Sequence, residues 1–154
     1  IHLALTAAEA GSLVFGTLPT NGAAQSIDRI IAVFASEEQP QIRAMLSQTF
    51  AGAVSQVLLR RTGATGRIPA TEVLLGNPAI SNIIREGKIQ DITSVIQAGK
   101  SQGMHTLDDS LTNLVNRKMI AAEEAHSYAS NKSWFEQFLG GVASDGAGLS
   151  AGQA

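Results

Sequence analysis

A chain of 154 residues that is 44% apolar and 16% charged can bury one packed domain and is not globally disordered. Its formal net charge of -2 leaves no broad basic field, which argues against nucleic-acid binding. The absence of cysteine excludes disulfides and thiolate metal sites and fits a reducing compartment, and no apolar run approaches the ~20 residues of a membrane-spanning helix.

The opening IHLALTAAEAG has neither a methionine nor a basic leader. It reads as the inside of a helix, Ile1 to Ala10, stopped at Gly11, and the chain is expected to be a fragment. Ser12 to Leu18 (SLVFGTL) is a short apolar run between Gly11 and Pro19. Its length predicts a buried strand, of the kind found in parallel sheets, whose companions come largely from elsewhere. Ser26 to Phe34 predicts a short helix with Ser26 as N-cap.

From Ile42 the apolar residues Ile42, Met45, Leu46, Thr49, Phe50, Ala53, Val54, Val57 and Leu58 recur at helical spacing, with Gln41, Arg43, Ser47 and Gln48 opposite. One reading continues this helix to Leu59. The preferred one ends it near Gly52 and starts a strand at Val54 running to Arg60, because β-branched residues follow the glycine. Thr62 to Gly66 is a turn and Arg67 to Leu75 the returning strand of a hairpin, with Pro69 at an edge or bulge.

Beyond Asn77 the pattern is helical: Ala79 to Glu86, Ile89 to Ala98, Leu107 to Met119, Ala121 to Ala129 and Ser133 to Leu139. Thr106 and Asp109 resemble a capping box before the Leu107, Leu111, Leu114, Val115 stripe. Trp134, Phe135 and Phe138 form a late aromatic cluster, read as a cap over the helices. The tail from Gly140 is rich in Gly, Ala and Ser and is expected to be flexible.

Four collinear stretches carry a family resemblance: LALTAAEAGSLVFGTLPTNGAAQSIDRII (3–31), FASEEQPQIRAMLSQ (34–48), NPAISNIIREGK (77–88) and GMHTLDDSLTNLV (103–115). Together they resemble the PilT-type pilus-retraction ATPases of the secretion ATPase superfamily over roughly residues 1–125. The third is similar to the AIRNLIRE signature of the retraction branch, here Ala79, Ile80, Asn82, Ile83, Ile84, Arg85 and Glu86.

The resemblance implies an α/β fold. Residues 1–76 would be the second half of a RecA-like motor domain and 77–139 a helical carboxy-terminal subdomain, followed by a tail over 140–154. It implies a homo-hexameric ATPase working with ATP and Mg2+ at the cytoplasmic face of the bacterial inner membrane. Its partners would be a platform protein and, in trans, an active retraction ATPase. No G-x-x-x-x-G-K-[ST] loop occurs in the chain, and the Walker B segment would precede Ile1. The chain alone is therefore expected to hold no nucleotide and to be inactive.

The family's histidine box, GTLHTN, reads Gly16, Thr17, Leu18, Pro19, Thr20, Asn21 here. Proline offers no proton, charge or donor, so phosphate sensing by that imidazole does not transfer to position 19. A second reading follows: a non-catalytic module that docks on a motor ring.

Asp28 and Arg29 match the family's DRI and read either as a subunit contact or as a salt bridge within the subunit. Arg60, Arg61 and Arg67 flank the hairpin turn, where they either meet an anionic surface across an interface or keep the rim soluble. Arg85 and Glu86 are either a coupling element or a solvated charge pair beside packing isoleucines. His2, His105 and His126 have no ligand-pair spacing, so no metal site is expected. Glu123 and Glu124 read as exposed, and Ser12, Ser47 and Ser55 lack a nucleophile-elbow context.

Overall fold

The computed structural model describes residues 1–140; the expected tail, beyond Gly140, lies outside them. The elements in order are α1 (His2–Glu9), α2 (Ala23–Ala32), α3 (Gln39–Thr49), β1 (Gly52–Arg60), β2 (Arg67–Leu75), α4 (Pro78–Glu86), α5 (Ile92–Ala98), α6 (Leu107–Asn116), α7 (Ala122–Tyr128) and α8 (Lys132–Gly140). Short 3-10 turns at Ile89–Asp91 and Lys100–Gln102 flank α5. Two compact units result: Ile1–Val57 with Thr71–Thr106, and Leu58–Ala70 with the chain from Leu107 onward. The expected boundary after residue 76 follows the resemblance, whereas these units follow packing, and the two divisions differ.

The first unit is built on helical stripes. Ala23, Ile27 and Ile31 of α2, Ile42, Met45 and Leu46 of α3, Ile80 and Ile84 of α4, and Ile92 and Ile96 of α5 share one apolar core with Leu5, Leu74 and Met104. Spacings of three and four put each set on one helix face. The α3 helix packs along α4, and both have proline in the first turn, where a missing N–H costs nothing. Asn77 caps α4 by accepting from the Ile80 N–H at 2.9 Å. Gly87, at φ 73, ends it with Lys88 N–H donating to Ile83 O and Gly87 N–H to Ile84 O, a Schellman closure.

Helix gives way to strand where the preferred reading placed the change: α3 stops at Thr49 and β1 starts at Gly52. The glycine is needed for close approach. A Cβ on Gly52 would stand 2.9 Å from Leu74 O, and one on Gly76 would collide with Phe50 O. Along β1, Ser55 and Leu59 are buried and Val54 and Leu58 exposed, the alternation of a one-sided hairpin. Pro69 is exposed within β2. His105 adds an antiparallel bridge to Val73, donating to Val73 O at 3.2 Å and accepting from Val73 N–H at 2.9 Å.

Four expectations need correction in this unit. Ser12–Leu18 is not a strand: no regular element forms there, and Leu13 and Phe15 are 75% and 88% exposed. Among the described residues the sheet contains β1 and β2 alone, so this run has no neighbour to ladder with, and the expected parallel sheet is not seen. Ser26 is not the N-cap. The helix starts a turn earlier behind Gly22, and Ser26 Oγ donates back to Gly22 O at 2.8 Å. Ser47, placed on the polar face, is buried, its hydroxyl donating to Ala44 O at 2.7 Å. The helix expected from Ile89 opens with a 3-10 turn and becomes α-helical only at Ile92.

In the second unit Leu59 and Ala70 from the hairpin, Leu107, Leu111 and Leu114 from α6, Ala125 from α7 and Phe135 from α8 are buried. The α7 and α8 helices pack together. Thr106 directly precedes α6, as the capping pattern requires. The helix ends at Asn116, short of the expected Met119. Lys118 takes φ 55, Met119 N–H reaches Leu114 O and Lys118 N–H reaches Val115 O, a Schellman closure without glycine. Trp134 and Phe135 meet edge-on with centroids 4.8 Å apart; the Phe138 side chain lies outside what is described.

Ile84 has no exposed surface, whereas Asn82 on the same helix is exposed. Ile84→Ala should lower unfolding free energy in urea by about 2–5 kcal/mol and Asn82→Ala by no more than about 0.5 kcal/mol. Equal effects would contradict this packing.

Candidate functional site

The segment Gly16–Asn21 leads into the N-terminus of α2, and four polar contacts hold it there. Ser26 Oγ spends its proton on Gly22 O, so in the 2.6 Å contact between Thr20 Oγ1 and Ser26 Oγ the threonine is the donor. Asn21 N–H donates to Gln25 Oε1 at 3.3 Å, a side chain reaching back across the helix start. The first helical N–H, on buried Ala23, donates to Glu72 Oε1 of β2 at 2.7 Å. A carboxylate at a helix N-terminus is favoured by both hydrogen bonding and the helix dipole. Upstream, Gly16, Thr17 and Pro19 are exposed and Leu18 half-buried.

The run before this segment is loosely held. Among the described residues no backbone hydrogen bond is made by Leu13 to Leu18. Clefts adjoin the run toward two different walls. One, about 430 Å³, is bounded by Ala4, Leu5 and Ala8 of α1. The other, about 780 Å³, is bounded by Ala53 to Gln56 of β1 with Leu74 and Leu75. Thr17 and Leu18 line both. Thr17, Thr20, Ser26 and Ser55 line the larger one with Gln56, so its polar side chains are hydroxyls and a carboxamide rather than charged groups.

The residues of the retraction-type signature divide by burial. Ile80 and Ile84 are core and Ile83 half-buried, whereas Ala79, Asn82, Arg85 and Glu86 are exposed. Glu86 does not pair with Arg85; its carboxylate meets Lys88 Nζ at 2.7 Å, both groups being exposed. That hydrogen bond, reinforced by the ammonium charge, holds the Glu86 carboxyl below its ordinary value and raises Lys88.

Asp28 and Arg29 are exposed on α2 and form no ion pair among the described residues. Arg60, Arg61 and Arg67 are exposed on the second unit. The histidines sit apart: the His2 ring is tilted 54° to Phe34 with centroids 6.2 Å apart, His105 Nε2 meets Thr71 Oγ1 at 2.9 Å, and His126 lies 3.9 Å from Glu136. Glu123 is exposed. Glu124 is half-buried and accepts from Arg60 N–H at 2.9 Å, so it is not the plain surface carboxylate expected.

Sequence reasoning missed Glu72 and the Thr20–Ser26 pair. The Gln25 contact has a local signal, a glutamine four residues after Asn21. Glu72 has none, because it is 49 positions from its partner.

The arrangement is that of a mixed helix-and-strand unit with a polar-anchored loop at a helix start. No protein-family profile matches the chain. It is 50% identical over 131 residues to a twitching motility protein of Neisseria gonorrhoeae, covering 85% of this chain and 35% of the relative. It is 49% identical over 129 residues to the type IV pilus retraction ATPase PilT of Pseudomonas aeruginosa, covering 84% and 37%. The crystal structure of the pilus retraction motor PilT with bound ADP superposes with a TM-score of 0.77 at 39% identity, over 88% of this chain and 38% of that one. The chain thus spans about a third of the length of the relatives it matches.

The matched residues belong to the secretion ATPase superfamily. Within it, the chain belongs to the PilT-type retraction ATPases, as the four collinear stretches implied.

Glu72→Ala removes the acceptor of a buried N–H and should cost about 1–3 kcal/mol. Amide exchange at Ala23 should quicken, while Glu72→Gln, which keeps a carbonyl acceptor, restores most of the protection. Unchanged exchange in Glu72→Ala would contradict the bond.

Proposed function

We propose that the protein containing this chain is an ATP-driven subunit of the motor that retracts type IV pili. The observation that carries the reading is the near-50% identity to a twitching motility protein and to a retraction ATPase over 84–85% of the chain. The structural likeness to the ADP-bound motor supports it. In this reading residues 1–76 are the second half of a RecA-like motor domain and 77–139 a helical subdomain. The intact assembly is a homo-hexamer using ATP and Mg2+, peripheral to the inner membrane, with a platform protein and a second retraction ATPase as partners. Among the described residues no helix is long and apolar enough to cross a membrane.

The residues present do not fit a complete nucleotide site. The sequence contains no phosphate-wrapping G-x-x-x-x-G-K-[ST] loop, and the larger cleft is lined by hydroxyls and the Gln56 carboxamide but by no cation. Gly16 to Asn21 would stand beside the nucleotide and contribute polar groups only. No step of hydrolysis is assigned to them. In this reading Asp28 and Arg29, which form no ion pair among the described residues, serve subunit contacts, and the outward residues Ala79, Asn82, Arg85 and Glu86 couple ring motion to the machinery.

Pro19 favours a second reading, a non-catalytic member that docks on an active ring. One chimera separates the two: these residues in place of the matched ~130 in the Pseudomonas retraction ATPase. The isolated chain should release no phosphate from ATP; saturable turnover would overturn the proposal. The chimera should assemble and support twitching, and Pro19→His should raise its ATP turnover by about tenfold or more, the scale of one proton-handling group. A chimera that assembles but neither hydrolyses ATP nor gains from Pro19→His favours the docking module. Arg85→Ala in the active chimera should leave hydrolysis within about twofold and reduce twitching, since an exposed side chain without a partner contributes little to folding; equal loss of both would remove the coupling role.

A further inference from the structure

The second unit gathers cations that are dispersed in sequence. Thr62 N–H, in the hairpin turn, donates to Met119 O at 3.0 Å. That bond ties the hairpin tip to the turn that closes α6. Arg61 adjoins Thr62, Lys118 adjoins Met119, and Arg117 is one residue further. With ~3.8 Å between successive Cα atoms, these three backbone positions lie within about 8 Å of the tied residues. Arg60 ends β1 and Arg67 opens β2, facing each other across the hairpin mouth.

All five side chains are exposed, and none has an ion pair among the described residues. They are five of the eleven Lys and Arg residues of a chain whose net charge is -2. Glu124, whose Oε1 accepts the Arg60 backbone N–H, is a carboxylate in contact with this group, and the exposed Glu123 adjoins it. Asp108, also in this unit, accepts from the N–H groups of Ser130 and Asn131, and Glu136 stands by His126. The Lys118 backbone adopts φ 55, which a lysine takes only when its surroundings hold it there. The two Schellman bonds supply that hold.

We propose that this end of the second unit docks on an anionic phospholipid surface. Clusters of four to eight basic residues bind acidic lipids through summed charge, each contributing modestly. A protein partner would call for an apolar or aromatic anchor at the centre. Between Arg61 and Arg67 lie only Thr62, Gly63, Ala64, Thr65 and Gly66, and the exposed Leu58, two positions before Arg60, adds one aliphatic side chain but no aromatic one. Small residues let the tip lie flat on a fluid headgroup layer and read no particular shape. No aromatic stands among them to stack on bases, as single-stranded nucleic acid requires.

The test is vesicle co-sedimentation of the full chain, with lipids of 30% phosphatidylglycerol in phosphatidylcholine against pure phosphatidylcholine. The chain should sediment with the anionic vesicles alone and be released by about 0.5 M salt, where screening is nearly complete beyond ~4 Å. Arg61→Ala with Arg117→Ala should weaken binding by about tenfold or more. Arg29→Ala with Arg85→Ala, equal in net charge but on the first unit, should leave it within about twofold. Unchanged circular dichroism melting in both variants checks that the fold persists. A chain left in the supernatant, equal weakening by both pairs, or displacement from vesicles by a short DNA duplex would each overturn the proposal, the last in favour of nucleic acid.

Discussion

The structure turns on where backbone N–H and C=O groups find partners. A buried amide without one costs as much as several favourable contacts contribute, so an apolar run folds as a strand only beside another strand. Leu13 to Leu18 has no such neighbour among the described residues. It therefore remains irregular, its leucine and phenylalanine open to solvent and clefts beside it. Immediately downstream the same chain is firmly placed, because Ala23, Asn21 and Thr20 each find a partner on Glu72, Gln25 or Ser26. The candidate site straddles this divide: its first half lacks backbone partners and its second half is tied at three points.

The same rule explains which elements could be read from the residues. Helices α1, α3 and α4 and the β1–β2 hairpin are specified locally, by apolar spacing, by glycine at the changeovers and by Asn77 and Gly87 at the ends of α4. Errors occurred where a distant or unusual partner decides. Ser26 has cap chemistry, yet Glu72, far away in sequence, satisfies the helix start a turn earlier, freeing Ser26 to bond backward to Gly22. The end of α6 was misplaced because its left-handed residue is Lys118 rather than glycine. The family likeness was legible because it rests on residue identity in order, which survives where geometry cannot be inferred.

At the site, the replacement that matters is Pro19. Proline fixes its own φ, steers Leu18 toward extended conformations and offers no group that can handle a proton. The Thr20–Ser26 bond and the Gln25 reach-back hold the following residues whether or not position 19 can handle a proton. Shape and chemistry are thus separable here.

The α4 helix separates the same two demands along one element. Its inward residues are accounted for by packing, since Ile80 and Ile84 have no exposed surface and join the α3 side of the core. Its outward residues are not. The Glu86–Lys88 pair is solvent-exposed, a setting in which ion pairs contribute little, and Ala79, Asn82 and Arg85 are exposed. A helix held by its isoleucines would tolerate many polar residues on that face. Packing therefore accounts for the buried isoleucines of this segment and leaves the four outward positions with no role in the core.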